Sequence, residues 1–370
     1  MPDGESIILC RERPGEPPPD PHPVFESQGY HFIGNQAAVK TCHWTRNSLG
    51  GGEPCYKQKF YGIASHRCVQ MTPVMACNHR CMHCWRPIDV KFPEIRWDDP
   101  AEVAESAVEE QKRVLTGFGG NPNTPGAMFE EAMAPAHVAI SLDGEPTLYP
   151  RLPELIEEYH RRGMTTFVVT NGSRPEMVRA IRPTQLYLSM NAPDEGTYRL
   201  EVNPHGDTWP QFLETLDALR DHPSRTAVRI TLVRGVNDHG TEMYAAMLKR
   251  ARPWFVEVKS YMHVGYSRLR LERENMAPME HVRAFAKALE GHLGPEYKIE
   301  DESEASRVVM LMRGGVERFL EIETRSVRQV SPFNRPSRQP SIHRAPSLEG
   351  SSESPAPAGP GPQTKHPARR

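Results

Sequence analysis

Three cysteines lie within eight residues and could hold a metal centre. Cys77, Cys81 and Cys84 have the spacing C-x3-C-x2-C and directly follow an apolar run that ends at Ala76. A tight loop of this kind can wrap three thiolates round one corner of a 4Fe–4S cluster. No cysteine follows Cys84 in the 370-residue sequence, so one iron would keep an open position for a small molecule. The spacing therefore predicts a catalytic cluster.

A structural zinc site is the alternative interpretation of the same cysteines. Structural zinc usually takes four protein ligands in two pairs, and the second pair is missing here. His79 or His83 could complete such a site, although both lie inside the same short loop. Reaching back to one ion from within that loop would strain it, so we favour the cluster.

The C-x3-C-x2-C loop resembles that of the radical S-adenosylmethionine (SAM) enzymes. In that superfamily SAM binds the open iron through its amino and carboxylate groups, and an electron from the cluster cleaves it to methionine and a 5′-deoxyadenosyl radical. The resemblance implies a 4Fe–4S cluster and SAM as cofactors. Because the sequence contains no flavodoxin-like phosphate loop, we expect an external flavodoxin- or ferredoxin-like electron donor.

Apolar, β-branched runs alternate with helix-like stretches along the middle of the chain, which predicts an α/β fold with a parallel sheet covered by helices. The predicted strands are residues 69–76, 137–142, 165–170, 185–189, 227–233 and 255–261. The predicted helices are residues 101–116, 153–162, 175–181, 209–221, 241–251 and 279–293. Six such units, with the cysteine loop after the first strand, match the partial (β/α)6 barrel that the radical SAM resemblance implies.

Composition divides the chain into four predicted segments. Residues 1–35 form a Pro-rich leader, with six prolines between residues 11 and 24, and residues 36–68 form an N-terminal extension that carries three further cysteines. The barrel is expected over residues 69–315. Residues 326–370 are basic and rich in Pro and Ser, which predicts a disordered tail. A weak electrostatic tether for RNA is the alternative function of that tail.

The charge balance limits how this chain could bind nucleic acid. The net charge is −2, but the residues from Arg325 onward carry +6, so the preceding 324 residues carry −8. An acidic body predicts at most a local RNA-binding patch. Seven cysteines, an odd number, and the lack of a signal peptide or of an apolar run of membrane length predict a cytoplasmic protein, which we expect to be a monomer.

Three more cysteines precede the first predicted strand. Cys42, Cys55 and Cys68 are thirteen residues apart in each step, which is too wide for one tight loop. Cys68 adjoins the strand, so a folded segment could bring the other two near it. Buried cysteines without a ligand role are an equally good interpretation of this spacing alone.

The two cysteine triads together resemble the wyosine-synthesis branch of the radical SAM enzymes, the tRNA 4-demethylwyosine synthases. The resemblance covers about residues 36–315. It is carried by the cysteines and by the sequences Cys55-Tyr56-Lys57, Leu142-Asp143-Gly144-Glu145-Pro146-Thr147-Leu148-Tyr149-Pro150, Thr170-Asn171-Gly172-Ser173 and Gly265-Tyr266-Ser267-Arg268-Leu269-Arg270-Leu271. Cys10 lies outside the pattern, and we expect no ligand role for it.

This resemblance implies a reaction in which N1-methylguanosine at position 37 of tRNA(Phe) and pyruvate give the tricyclic base 4-demethylwyosine. It also implies a second 4Fe–4S cluster on Cys42, Cys55 and Cys68 that holds pyruvate. Lys57 matches the lysine proposed to form a Schiff base with pyruvate, which requires a lowered amine pKa. We expect neighbouring Lys59 or the metal centres to lower it. A surface charge or a phosphate contact is the alternative role of Lys57.

Residues after the strands are candidates for binding SAM. Glu145 occupies the position that binds the SAM amino group in the resembled superfamily, and a carboxylate suits an ammonium partner. A buried carboxylate that caps a helix is the alternative role of Glu145. Asn171, Ser173, Ser189 and Asn191 could bind the ribose or the methionine carboxylate, although turn chemistry explains such residues equally well.

A basic and aromatic segment follows the sixth predicted strand. Tyr266, Arg268, Arg270 and Arg273 could stack on bases and contact phosphates of an anticodon loop. An Arg-rich solvated loop is the alternative interpretation. At the level of the whole chain, the alternatives are another radical SAM enzyme with an auxiliary cluster and a non-enzymatic metal-binding RNA protein.

Overall fold

A ten-stranded mixed sheet forms the centre of the fold. The computed structural model describes residues 21–88, 90 and 95–320. The strands in chain order are β1 (His31–Phe32), β2 (Ala38–Val39), β3 (Cys68–Thr72), β4 (His137–Ile140), β5 (Thr165–Thr170), β6 (Gln185–Ser189), β7 (Arg225–Leu232), β8 (Phe255–Ser260), β9 (Tyr297–Ser303) and β10 (Val308–Arg313). Across the sheet their order is β1-β2-β3-β4-β5-β6-β7-β8-β10-β9.

Helices connect the strands and cover them. They are α1 (His22–Ser27), α2 (His43–Leu49), α3 (Tyr56–Tyr61), α4 (Pro100–Leu115), α5 (Gly126–Ala132), α6 (Leu152–Arg161), α7 (Pro175–Ala180), α8 (Glu195–Glu201), α9 (Trp209–Arg220), α10 (Thr241–Ala251) and α11 (Met279–Leu293). Helix α6 is typical, since Leu152, Leu155, Ile156 and Tyr159 are buried at helical spacing. Within the described residues, no helix is both long and apolar enough to span a membrane.

Six consecutive strands, β3 to β8, are parallel neighbours in chain order. These are the six predicted strands, and they follow from continuous apolar runs that can be buried on both faces of a sheet. The first strand ends at Thr72 rather than at the predicted Ala76, because Pro73 has no N–H for the ladder. The carboxyl ends of all six strands therefore meet at one edge, and the cysteine loop begins there.

The sheet is extended at both sides by antiparallel strands that the sequence patterns did not predict. Strands β1 and β2 pair antiparallel beside β3, and β10 and β9 do the same beside β8. Because α1 and β1 lie within residues 22–32, the end of the predicted extended leader is folded. The α/β class is confirmed, with a mixed rather than a wholly parallel sheet.

Helix α3 packs on the face of the sheet opposite to the covering helices. Its aromatic residues Tyr56, Phe60 and Tyr61 form one buried cluster with side chains from the strands, Phe167, Tyr187, Ala227 and Phe255. This packing fixes the N-terminal segment over the sheet interior. The predicted tail (326–370) and the first twenty residues of the predicted leader lie outside the described residues.

Candidate active site

The first cysteine triad lines a cavity of about 460 Å³ at the carboxyl ends of the strands. Cys77 exposes its thiol to this cavity, and Cys81 and Cys84 are half-buried in its wall. Burial among the cavity walls raises the pKa of the Cys77 thiol to about 12. A thiol with so high a pKa becomes a thiolate at neutral pH only when a metal binds it.

Hydrogen bonds from three directions fix the backbone of the cysteine loop. The Met82 N–H donates to the Glu201 carbonyl oxygen (2.8 Å), and the Tyr266 N–H donates to the Trp85 carbonyl oxygen (2.9 Å). The Arg270 guanidinium donates to the Met82 carbonyl oxygen (3.1 Å) and to that of Cys84. The loop therefore needs α8 and the segment after β8 for its shape.

Two glycines allow other segments to approach this loop closely. Gly144 has φ +64°, and a side chain there would collide with the Val74 carbonyl oxygen. Gly265 has φ +58°, and a side chain there would collide with the Trp85 carbonyl oxygen. Glycine is therefore required at both positions for conformation and for space.

The spacing of ligand atoms distinguishes a cluster from zinc. In a tetrahedral zinc site with Zn–S bonds of about 2.3 Å, the sulfurs lie about 3.8 Å apart. Within the described residues, the one group of three ligand atoms mutually within 4.8 Å is that of Cys81, His83 and Glu201. Neither cysteine triad is that compact, whereas a cluster binds each thiolate through a separate iron. The donor sets therefore fit 4Fe–4S clusters better than single zinc ions.

Glu145 lines the first cavity and is only 2% exposed. Its carboxylate accepts hydrogen bonds from the Thr147 N–H (3.1 Å) and hydroxyl (2.6 Å), the Thr170 hydroxyl (2.7 Å) and the Asn171 N–H (2.7 Å). Burial raises the pKa of this carboxyl, although those donors oppose the shift. Glu145 thus caps the turn that follows it, as its alternative role required, and still faces the cavity.

The other predicted SAM contacts divide into two groups. Asn171, Ser189 and Asn191 line the first cavity. Ser173 is absent from that lining, and its hydroxyl accepts a hydrogen bond from the Asn78 amide (2.9 Å). Ser173 therefore lies behind the loop, where it supports Asn78.

The second cysteine triad lines a separate cavity of about 440 Å³. Cys42 and Cys55 directly precede α2 and α3 with the same extended backbone, φ about −60° and ψ near 140°. Cys68 begins β3. A helix N-terminus favours a thiolate, but burial raises the pKa of Cys55 to about 11 and that of Cys68 to about 12. Three half-buried thiols that line one cavity again fit metal ligation.

Lys57 faces this second cavity, whereas Lys59 faces solvent. The Lys57 ammonium lies 4.4 Å from the centroid of the Tyr187 ring and 4.9 Å from that of Phe167. The Lys59 ammonium is paired with Asp301 at 2.6 Å. Burial first, and then Arg229, lower the pKa of Lys57, so the neighbouring cation is Arg229 rather than the predicted Lys59. The surface-charge role suits Lys59 and not Lys57.

The two cavities share a wall. The side chains common to both linings are His83, Cys84, Arg86, Ser141, Val169 and Ser189. Ser141, Val169 and Ser189 are small and come from the ends of β4, β5 and β6. A substrate at this wall would therefore be in contact with both cavities.

The predicted RNA-binding residues do not form one surface. Arg268 and Arg273 are exposed and Tyr266 is half-buried, whereas Arg270 is turned toward the cysteine loop. Three large apolar side chains accompany them at the surface: Met262 (38% exposed), Val264 (43%) and Leu269 (57%). Met262 and Val264 also line the second cavity. The segment therefore presents apolar and basic groups at the entrance of that cavity.

Sequence patterns missed the charged residues inside the second cavity. Arg229 and Lys259 line it, and Glu257 lies beneath them, bound to Arg229 at 2.9 Å. The sequence pattern that could have revealed them is the alternation of charged and apolar residues in β7 and β8. The other residues of these two strands are typical of a buried sheet. His83 was weighed only as a zinc ligand, and it is hydrogen-bonded to the buried Glu201.

Comparison with known proteins identifies the family. The model of the radical SAM superfamily matches residues 71–248, and that of wyosine base formation matches residues 250–313. The S-adenosyl-L-methionine-dependent tRNA 4-demethylwyosine synthase of Pyrococcus horikoshii is 50% identical over 305 residues, which cover 80% of this chain and 89% of the relative. The chain belongs to the tRNA 4-demethylwyosine synthase family. The synthase of Methanocaldococcus jannaschii is 42% identical over 303 residues (80% of this chain, 96% of the relative).

A solved structure of this family has the same fold. The structure of TYW1 with a lysine–pyruvate adduct bound has a TM-score of 0.74 and 40% identity, and the match covers 81% of this chain and 96% of that one. Membership of the radical SAM enzymes confirms an enzyme that uses SAM and a 4Fe–4S cluster. The second cluster and the roles of individual side chains stay predictions.

Proposed function

We propose that this enzyme joins N1-methylguanosine at position 37 of tRNA(Phe) to pyruvate and forms the tricyclic base 4-demethylwyosine. The observation that carries the proposal is the wall shared by the two cavities. One cavity contains the radical SAM cysteines, and the other contains a second triad beside the half-buried Lys57. The lysine–pyruvate adduct of the related TYW1 structure supports pyruvate as the molecule bound in the second cavity.

In the first cavity, Cys77, Cys81 and Cys84 hold a 4Fe–4S cluster. When bound there, the cluster and SAM supply a 5′-deoxyadenosyl radical that can take a hydrogen atom from the N1-methyl group. Glu145 has one lone pair free of the protein donors on its second oxygen and accepts the SAM ammonium. Asn171, together with Ser189 and Asn191, orients the ribose or the carboxylate of SAM.

In the second cavity, Cys42, Cys55 and Cys68 hold a second 4Fe–4S cluster. The neutral amine of Lys57 attacks the carbonyl carbon of pyruvate and expels water, which leaves an imine on Lys57. The methyl carbon of the base then bonds to that imine carbon. The bond to the pyruvate carboxylate then breaks, the carboxylate leaves as the carbon dioxide radical anion with the unpaired electron, and the imine re-forms. The exocyclic amine of guanine attacks the imine carbon and expels the amine of Lys57, which closes the third ring.

The whole chain is organised around that reaction. The six parallel strands form a partial (β/α)6 barrel over residues 69–315, and residues 36–68 supply the second triad. Tyr266, Arg268 and Arg273 contact the anticodon loop, and exposed Met262 and Leu269 add apolar surface for unstacked bases. The enzyme acts as a monomer and takes electrons from a flavodoxin- or ferredoxin-like protein.

Iron and sulfide counting tests the two-cluster proposal. The anaerobically reconstituted protein should hold about eight irons, and the triple variant Cys77→Ala/Cys81→Ala/Cys84→Ala about four. Alanine at the other three cysteines should also leave about four. If the wild type holds about four irons and the first triple variant holds none, the second triad binds no cluster.

A matched pair of lysine variants tests the chemistry. With N1-methylguanosine tRNA, SAM, a reductant and 13C-labelled pyruvate, Lys57→Met should give no labelled tricyclic base, because the imine cannot form. Lys59→Met should react like the wild type, since its ammonium pairs with Asp301 at the surface. SAM cleavage without any label in tRNA in the wild type would instead indicate another radical SAM reaction.

A further inference from the structure

Four Lys or Arg side chains line the second cavity: Lys57, Arg86, Arg229 and Lys259. Arg86 belongs to the wall shared with the first cavity and is paired with Asp143 at 3.3 Å. In the register of β7 and β8, Arg229 pairs with Glu257 and Thr231 with Lys259. Side chains two residues apart on a strand point to the same side. Lys259 is therefore on the same face as Glu257 and nearer to the carboxyl end of the strand, where the cavity opens.

Glu257 cannot neutralise the two lysines. It is fully buried, and its carboxylate accepts hydrogen bonds from Arg229 (2.9 Å) and from three tyrosine hydroxyls, those of Tyr61 (2.7 Å), Tyr56 (2.8 Å) and Tyr187 (3.2 Å). Four donors occupy its oxygens. Its ion pair is with Arg229 at 2.9 Å, and Lys57 adds a weaker attraction at longer range.

The lysines have no carboxylate of their own. Within the described residues, no Asp or Glu oxygen lies within ion-pair distance of Lys57 or Lys259. The Lys57 ammonium packs on the Tyr187 and Phe167 rings, and that of Lys259 donates to the Ser306 carbonyl oxygen and lies 5.5 Å from the centroid of the Tyr56 ring. Both side chains are half-buried, and an ammonium withdrawn from water without a counter-ion is costly. Lys57 reacts as a neutral amine in the proposed function, so Lys259 is the cation that remains without a carboxylate.

The ammonium of Lys259 suits the acidic substrate of the proposed function. A 2-oxo acid has a carbonyl carbon and a carboxylate on neighbouring atoms, so an amine and a cation beside the second triad can bind both groups. The Arg229 guanidinium is held by Glu257 and by the Tyr56 hydroxyl (2.7 Å). It lies 4.7 Å from the centroid of the Tyr187 ring on which Lys57 also packs. Arg229 is thus rigid and close to Lys57.

We infer that Lys259, with Arg229 beside it, forms a subsite for the carboxylate of the 2-oxo acid whose carbonyl carbon reacts with Lys57. The inference rests on the proposed function and names the residues that select its acidic substrate. Lys259 donates a charge-assisted hydrogen bond to the carboxylate. Arg229, whose charge is paired with Glu257, positions the aromatic floor of the cavity through the Tyr56 hydroxyl and the Tyr187 ring.

Reductive trapping on the reconstituted protein tests this subsite without turnover. Cyanoborohydride reduces the imine between Lys57 and 13C-pyruvate to a stable amine, and mass spectrometry of the Lys57 peptide gives the pyruvate concentration for half-maximal labelling. Lys259→Met keeps the side-chain length and removes the charge, so this concentration should rise about 10- to 100-fold. Lys249→Met, at an exposed position on α10, should leave it unchanged.

Methyl pyruvate supplies the second comparison, since it keeps the ketone and lacks the charge. The wild type should label poorly with the ester, and Lys259→Met should label with both compounds at similar concentrations. Lys259→Arg keeps a cation and should retain the preference for pyruvate, even if Lys259→Met binds less iron. An unchanged half-maximal concentration and an unchanged preference for pyruvate in Lys259→Met would overturn the subsite.

Failure of the subsite and failure of the proposed function give different results. If Lys57 is labelled at the same pyruvate concentrations in the wild type and in Lys259→Met, the pyruvate chemistry stands and the subsite is overturned. If label appears on Lys259 in place of Lys57, the two roles are exchanged and the inference is overturned. If wild type shows no pyruvate label at all, the proposed reaction itself fails.

Discussion

Glu257→Gln should destabilise the protein strongly while keeping the size of the side chain. Glu257 is fully buried and pairs with Arg229, whose side chain is 19% exposed. Removing one partner of a buried ion pair typically costs about 3–5 kcal/mol, because the other charge stays buried without compensation. The NH2 group of the glutamine would also face tyrosine hydroxyls that donate to the carboxylate in the wild type. The loss of these hydrogen bonds is already included in the cost of about 3–5 kcal/mol.

Thermal unfolding under anaerobic conditions measures this effect. A free-energy loss of 1 kcal/mol lowers the melting temperature by about 2 °C at the large end of the domain-size range, so Glu257→Gln should melt about 6–10 °C lower. The matched control is Glu302→Gln, which removes an exposed pair with Arg283 (42% and 40% exposed). That pair is worth at most about 1 kcal/mol, or about 2 °C. Equal shifts in the two variants would refute the assigned strength of the buried network.

The pH dependence of the melting temperature tests whether the pair of Glu257 and Arg229 stabilises the charged carboxylate. Burial raises the pKa of Glu257, but Arg229 and the hydroxyl donors outweigh it, so the folded pKa lies below its usual range. The unfolded chain then binds more protons, and the stabilisation is present above the unfolded pKa of about 4.3 and is lost as pH falls through the folded value. The melting-temperature difference between wild type and Glu257→Gln should be constant between about pH 6 and 8 and shrink below about pH 4. A difference that grows with acid would contradict this sign.

Three further substitutions test how the site is held. Gly144→Ala should lower the total iron content of the protein to about half, because the first triad would no longer hold its cluster. The φ of +64° and the Val74 carbonyl oxygen exclude a side chain at this position, so an unchanged iron content would contradict the packing. Arg270→Met should loosen the first cluster and speed its loss to a chelator, since two loop carbonyls lose their donor; the second cluster is the internal control. Arg268→Ala should weaken tRNA binding and reduce the salt slope by about one, and an unchanged slope in a filter-binding titration would remove Arg268 from the interface.

The sequence predicted the parallel strands and the position of the first cysteine loop because both depend on local patterns. A strand such as Gln185–Ser189 is buried on both faces, so its continuous apolar run is visible without tertiary information. Helix α3 escaped prediction because its six residues are too short to show a period and begin after Cys55, which is not a usual cap. The position of α3 on one face of the sheet depends on the packing of Tyr56, Phe60 and Tyr61 against strands that are distant in the sequence.

The chemistry of the second cavity was only partly predictable for the same reason. Cys55-Tyr56-Lys57 is a contiguous motif, so its resemblance to a known family is visible in the sequence. Glu257 and Lys259 act through residues that lie far from them in sequence, and each alone looks like an isolated charge in a strand. Their meaning follows from the register of β7 with β8, which aligns Arg229 with Glu257.

Strand β3 connects a member of the second cysteine triad to the loop that carries the first. Cys68 is its first residue, and the loop with Cys77 to Cys84 begins directly after its last residue, Thr72. Five residues of parallel strand advance about 13 Å from first to last Cα, and both neighbours of β3 are hydrogen-bonded to it. The distance between Cys68 and the start of the loop with Cys77 is therefore fixed by a rigid strand. Because the sheet contributes only the small side chains Ser141, Val169 and Ser189 to the common wall, a base bound there could contact both cavities without any movement of the strands.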